Sequence, residues 1–321
     1  MPMVVGDTVL GKLFPHRVLP HYVWIDGEGK VLAITGQNEL TEEKIGALIA
    51  GKAELAQKKD LKVDYDPSRP LLIAGNGGNG TSLLYHSLFA GFVPGIKSGY
   101  SFLPETKGEG RRVTANNLSM LQLMRLAYGA GNRYFGWSRV LLETSRGVSL
   151  RSSAKGQAYD DWLASGNAFC YELVLPAGLS EGMFDLMKRD LSLLFPSYRA
   201  AVEERVVDCL VLKRTDRMQR FASAGGKADA QFSPFGFELR NVDIGLLTLR
   251  LEVLYLQRQV LPVVDGTGFK GKVDLKVEGD ISSVVSINKG LAGYGLELVR
   301  EKRKTPVLVV SDSSWVSNAK N

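Results

Sequence analysis

Two segments decide how the larger part of this chain is read: Tyr198–Arg214, YRAAVEERVVDCLVLKR, and Leu296–Asp312, LELVREKRKTPVLVVSD. Each follows a stretch with helical spacing, is rich in β-branched residues and carries its charges in the middle. Each therefore reads as a β-hairpin, with Arg300, Lys302, Arg303 and Lys304 at the tip of the second. The two align without gaps 98 positions apart, with Leu296 on Tyr198, Arg303 on Arg205 and Val307–Val310 on Cys209–Leu212. That short agreement suggests an internal duplication.

The same phrase, a helix and then a pair of strands, recurs outward from these segments. Asn117 can cap a helix over Leu118–Tyr128 that Gly129 ends. Ser180 can cap a second, with Met183, Phe184, Met187, Leu191 and Leu194 turned inward. A third spans about Asp243–Gln257, followed by VLPVVDGTGFKGKVDLKVEG as turn and strand, and a fourth lies near Ile281–Leu291. Helices alternating with short antiparallel pairs imply an α+β domain of repeated helix/hairpin modules over residues 100–312, with 313–321 as a tail.

The start of the chain is different. Tyr22–Ile25 and Val31–Thr35 read as strands around the turn Asp26-Gly27-Glu28-Gly29, and Thr41 caps a helix carrying Ile45, Leu48 and Ile49. Two strands and one helix cannot bury enough apolar surface to stand alone, so residues 1–51 read as half a fold. Residues 52–99 form a connector, first charged and then glycine-rich.

The 321 residues carry 40 Lys+Arg against 34 Asp+Glu, a net charge of +6, and 45% are hydrophobic. This composition fills real cores and excludes disorder, collagen and coiled coil. No apolar run reaches the roughly 20 residues of a membrane span, and MPMVVGDTVLGK does not read as a signal peptide. The mild positive charge is no argument for nucleic acid, and aromatics that would stack bases are missing around Arg300–Lys304.

Phe14–Gly36, FPHRVLPHYVWIDGEGKVLAITG, closely resembles the C-terminal half of TlpA-like thioredoxin-family (redoxin) proteins of the Bacteroidetes type. The resemblance implies a cis Leu19–Pro20 bond in a substrate-docking loop, opposite a W-C-x-x-C dithiol some tens of residues upstream. This chain begins too late to hold that dithiol, so it is not expected to catalyse thiol exchange. TANNLSMLQLMRLAYG (114–129), AFCYELVLPAG (168–178), PVVDGTGFKGKVDLKVE (262–278) and LAGYGLELVREKRKTPVLVVSD (291–312) resemble a second family. It is a soil-associated domain of unknown function, abundant in Acidobacteria and also found in Bacteroidetes. It supplies no catalytic residues to carry over, and it implies a place in the periplasm or cell envelope.

Other candidate sites are weaker. Cys170 and Cys209 lie in apolar β-rich runs and read either as buried small hydrophobes or, in an oxidising compartment, as a disulfide. Three histidines and two cysteines make no zinc pattern, and His16, His21 and Asp26 do not converge, so no metal is expected. Gly75, Gly77 and Gly80 fit G-x-G-x-x-G, but the strand before them is short and no acid follows at the right distance. Gly266–Lys272 mimics a P-loop up to the lysine, yet Val273 stands where Ser or Thr should bind magnesium. Asp265 reads as a turn former. Asp160–Asp161 and Glu203–Glu204 are sequence neighbours, a poor arrangement for acid/base work.

No cofactor is expected. The expected function is that of a C-terminal fragment of an exported TlpA-like thiol–disulfide oxidoreductase with an appended envelope-recognition module. Its partners would be a protein thiol or disulfide in the parent and an envelope protein or cell-wall ligand. The alternative is a non-catalytic binding protein of the cell envelope.

Overall fold

The structure, a computed structural model, describes residues 5–16, 19–52, 54–57, 65–103, 110–130, 135–145 and 150–313. Residues 53 and 58–64 of the expected connector and 314–321 of the expected tail lie outside the described residues. The chain divides into two units, Met1–Leu83 and Leu84–Asn321, and its class is α+β.

In the first unit a single turn, α1 (Leu10–Leu13), precedes an antiparallel hairpin of β1 (Tyr22–Ile25) and β2 (Val31–Thr35), followed by α2 (Glu42–Ile49). Each has a local cause. Asp26 closes the turn, its Oδ1 accepting from the N–H groups of Glu28 and Lys30 at 3.0 and 2.8 Å. Thr41 caps α2, its hydroxyl accepting from Lys44 N. Trp24 is buried and donates from Nε1 to Thr35 Oγ1 at 2.7 Å. Ile25, Val31, Leu32, Leu40, Ile45 and Ile49 stay exposed.

The second unit starts at Leu84, earlier than the expected boundary near residue 100, because the connector's end is part of a sheet. β3 (His86–Gly91), β4 (Gly99–Leu103), β5 (Arg111–Leu118) and β7 (Phe169–Leu175) form an antiparallel sheet in the order β3-β7-β5-β4. Between β5 and β7 lie α3 (Met120–Gly129), β6 (Val140–Glu143) and α4 (Gln157–Trp162); α5 (Met183–Leu194) and β8 (Tyr198–Arg214) follow. The chain then repeats this plan with β9 (Asp229–Ser233), β10 (Gly236–Asp243), α6 (Ile244–Arg250), β11 (Val263–Asp265), β12 (Lys272–Glu278), α7 (Val284–Ala292) and β13 (Leu296–Asp312). The second sheet runs β12-β10-β9, antiparallel throughout.

β8 and β13 are not hairpins. Each is one strand of 17 residues, and the two pair antiparallel along their whole length, from Tyr198 opposite Asp312 to Arg214 opposite Leu296. Neither segment contains the Gly or Asn that a tight hairpin turn needs for positive φ. The charges expected at a tip instead lie along the ribbon: Arg300 pairs across it with Asp208 at 3.0 Å, while Arg303 pairs along its own strand with Glu301 at 2.8 Å, which Lys213 reaches from the other strand at 2.5 Å.

Val206 lies opposite Lys304, and Lys304 is also its counterpart 98 positions on, so a local two-fold axis passes through this pair. β11 joins β8 in parallel from Leu210, and β6 joins β13 in parallel from Leu308, which is the counterpart of Leu210. The resulting sheet is β11-β8-β13-β6, so the suggested duplication is a repeat in space. Each long strand starts in its own half and ends in the other. Tyr198 and Ala200 at the start of β8 pack on the first core, while Leu210 and Leu212 at its end are buried in the second. Leu296 and Leu298 begin β13 in the second core, and Leu308 and Val310 end it in the first. Each buried side chain contributes about 1.5–3 kcal/mol relative to exposure, so the exchange ties the halves together.

Two helix starts differ from expectation. Ser119, not Asn117, caps α3, in a reciprocal capping box with Gln122. Asn117 sits two residues earlier at a β-bulge, with φ 47°. Ser180 lies in a 3-10 turn ahead of α5, whose N-cap is Gly182.

Candidate functional site

Beside the ribbon a buried ion pair joins the halves. The short turn Trp137–Arg139 leads into β6, and Glu252 belongs to the π-helical turn Leu251–Tyr255 that continues α6. Arg139 grips Glu252 in bidentate fashion, Nε to Oε1 at 2.8 Å and Nη2 to Oε2 at 2.8 Å. Ser138 Oγ and Val263 N also donate to this carboxylate, both at 2.9 Å. The remaining donors of Arg139 reach Thr305 Oγ1 at 2.9 Å and Val263 O at 3.1 Å. Every charged atom of the pair is thus matched, the condition under which a buried ion pair persists. The π turn places Glu252 over β11 instead of letting the helix run on.

Trp137, next to this lock and 41% exposed, is the wall shared by two clefts. One, of about 210 Å³, lies between the halves, with Gly136, Trp137 and Ser138 on one side and Glu252, Leu256 and Val260 on the other. The other, of about 200 Å³, lies within the first half and is lined by Ser119, Trp137, Arg151, Ser152, Tyr159 and Trp162. Arg125 and Arg151 both bring their guanidinium carbons to the Trp137 ring, at 4.2 and 5.3 Å from its centroid. Tyr159 and Trp162 stack at 5.6 Å. Arg125 donates from Nε to Phe135 O at 2.5 Å, which fixes its place on α3. Arg151 donates from Nη2 to Val140 O at 2.9 Å, while its Nε is buried without a hydrogen-bond partner among the described residues. Burial, and then the like charge of Arg125, push the Arg151 guanidinium down from its ordinary pKa.

The residues singled out in the sequence do not gather here. The Leu19–Pro20 bond is cis and Leu19 is exposed, in the first unit. Cys170 and Cys209 are free and buried, so the disulfide reading is replaced by that of separate buried thiols. Cys170 lies on β7, accepting from Asn117 N and donating to Asn117 Oδ1, both at 3.3 Å. Cys209 lies on β8 in a different sheet, and burial pushes its thiol up.

Gly75–Gly80 stand in a turn region built around buried Asn76, whose Nδ2 donates to the carbonyls of Asp66, Arg69 and Pro70. Among the described residues no strand ends just before these glycines and no helix opens just after them, so the dinucleotide fingerprint lacks its context. Asp265 Oδ1 accepts from Thr267 N and Oγ1 at 2.8 and 2.7 Å, the expected turn, and β12 follows where a P-loop needs a helix. Gly266 is needed for close approach, because a Cβ there would meet Val211 Cγ1 at 2.5 Å. His16 and His21 stack at 4.5 Å, and among the described residues no three His, Cys, Asp or Glu side chains are placed to share a metal ion. No helix among them is long and apolar enough to cross a membrane.

Sequence reasoning missed Trp137, Arg151, Arg139 and Glu252. The available signal was the unusual density of Trp, Tyr and Arg between residues 125 and 162, but no spacing rule joins these residues. Comparison of the chain with protein-family models, with curated proteins and with solved structures returns no match.

Proposed function

We propose that this chain acts by recognition: the duplicated second unit holds a ligand, and the TlpA-like first segment belongs to an exported thiol–disulfide system of the cell envelope that the unit serves. The observation that carries this reading is the pair of clefts sharing Trp137. A half-exposed indole flanked by guanidinium groups beside a buried ion-pair lock is a rigid concave surface with a few polar groups, the usual form of a small-molecule site. The state of the thiols supports it. Cys209 has its pKa raised by burial, and Cys170 is committed to Asn117, so neither resembles the exposed, activated thiolate that exchange chemistry requires. The envelope location and the redox partner rest on the two family resemblances.

The test is catalysed reduction of insulin disulfides by dithiothreitol. The chain should leave the rate at its uncatalysed value, and Cys170→Ser and Cys209→Ser should change nothing. An acceleration that either substitution removes would overturn the reading in favour of thiol catalysis.

A further inference from the structure

We propose that the cleft bounded by Trp137, Arg151, Tyr159 and Trp162 binds a small ligand that carries an anionic oxygen group, carboxylate or phosphate, on a flat ring. This inference rests on the recognition reading and names the ligand class at that site. Three features point to an anion. Arg151 is half-buried and has no counter-charge among the described residues; the charge acting on it from nearby is that of Arg125, of the same sign. Ser119, which lines the cleft, is also the N-cap of the ten-residue α3, so the positive end of that helix opens there. The Ser119 and Ser152 hydroxyls accept from Gln122 N and Ala154 N, and among the described residues their own O–H groups are not committed to an acceptor.

The rest of the lining points to a ring. Trp137, Tyr159 and Trp162 supply flat apolar surface beside the cations, and rings held between such surfaces gain by stacking. A volume of about 200 Å³ lies below the roughly 300–1,000 Å³ of drug-sized pockets, so the ligand is a single-ring acid or phosphate monoester. Arg suits both anions, because its planar fork matches carboxylate and phosphate alike.

The experiment titrates the full chain with benzoate and with phenyl phosphate, following tryptophan fluorescence, with benzyl alcohol and inorganic phosphate as controls. Both ring anions should bind saturably, and whichever binds tighter identifies carboxylate or phosphate as the natural group. Benzyl alcohol and inorganic phosphate should each bind about ten-fold more weakly or worse, since a charge-assisted hydrogen bond or a stacked ring contributes on the order of 1.4 kcal/mol. Arg151→Gln should weaken the ring anions by at least about ten-fold while leaving benzyl alcohol unchanged. Tyr159→Ala, at a partly exposed ring, is the second variant and should weaken the ring anions even if Arg151→Gln fails to fold. Equal binding of benzoate and benzyl alcohol, or an Arg151→Gln protein that folds and binds normally, would overturn the anion class while leaving the recognition reading in place. Absence of binding by every probe would overturn the inference, whereas the insulin assay alone decides against recognition.

Discussion

Asn117 and Asn241 occupy the same place in the two halves of the second unit, each with a left-handed backbone, φ 47° and 50°, at a bulge that sets two residues opposite one. The residue opposite is Cys170 in the first half and Asp274 in the second. Both accept the asparagine N–H, the thiol at 3.3 Å and the carboxylate at 2.7 Å. Two different side chains thus meet the same need, that of an extra residue whose N–H has left the ladder.

The two asparagines differ in burial, and this sets their cost. Asn117 is 1% exposed, and its amide accepts from Val93 N and donates to the Val93 and Ile96 carbonyls. Asn241 is half-buried and donates to Gly226 O. Asn117→Ala should destabilise by about 2–4 kcal/mol, through lost hydrogen bonds and an alanine forced to positive φ, and Asn241→Ala by about half of that. Urea unfolding of the two variants checks the order.

The Arg139–Glu252 lock makes a second prediction. Arg139→Met or Glu252→Leu alone strands a buried charge and should cost about 3–5 kcal/mol, whereas the double substitution should recover most of the loss. A double-mutant cycle by urea unfolding measures this. Additive losses would mean that the two side chains do not depend on each other.

Acid should weaken the second half through Asp274. Asn241 N–H, and next the Ser223 hydroxyl, hold the Asp274 carboxyl below the usual aspartate range. A carboxylate with a depressed folded pKa adds stability that is complete above its unfolded pKa and is lost as the pH falls through the folded value. The contribution of Asp274 should therefore be full at neutral pH and fade below the ordinary aspartate range. Asp274→Asn should flatten the fall of the melting temperature in that window. An unchanged slope would remove Asp274 from the account.

Local signals were legible where chemistry is local. Asp26, Gly29 and Thr41 announce the first hairpin and α2, and the spacing of Met183, Met187 and Leu191 announces α5. The ribbon was misread because its middle leaves both cores. Lys302, Arg303 and Lys304 are exposed in succession, on both faces of the strand, so the charges of an exposed strand look like those of a turn. The missing glycine and asparagine were the contrary sign. The cleft was not legible at all, because Ser119, Trp137, Arg151 and Trp162 are brought together by packing between α3, the approach to β6 and α4, and no periodicity records that.

The most direct test is whether Val206 and Lys304 are neighbours, since the ribbon joins the halves at whose junction Trp137 sits. Val206→Cys with Lys304→Cys places two exposed thiols at directly opposed strand positions, within the span that a disulfide bridges. Mild oxidation should bond them readily in the folded chain, as a mobility shift that reductant reverses and as a peptide linked across these positions. Two separate hairpins would leave these residues apart, and thiols that stay free while the protein remains folded would contradict the exchanged-strand architecture.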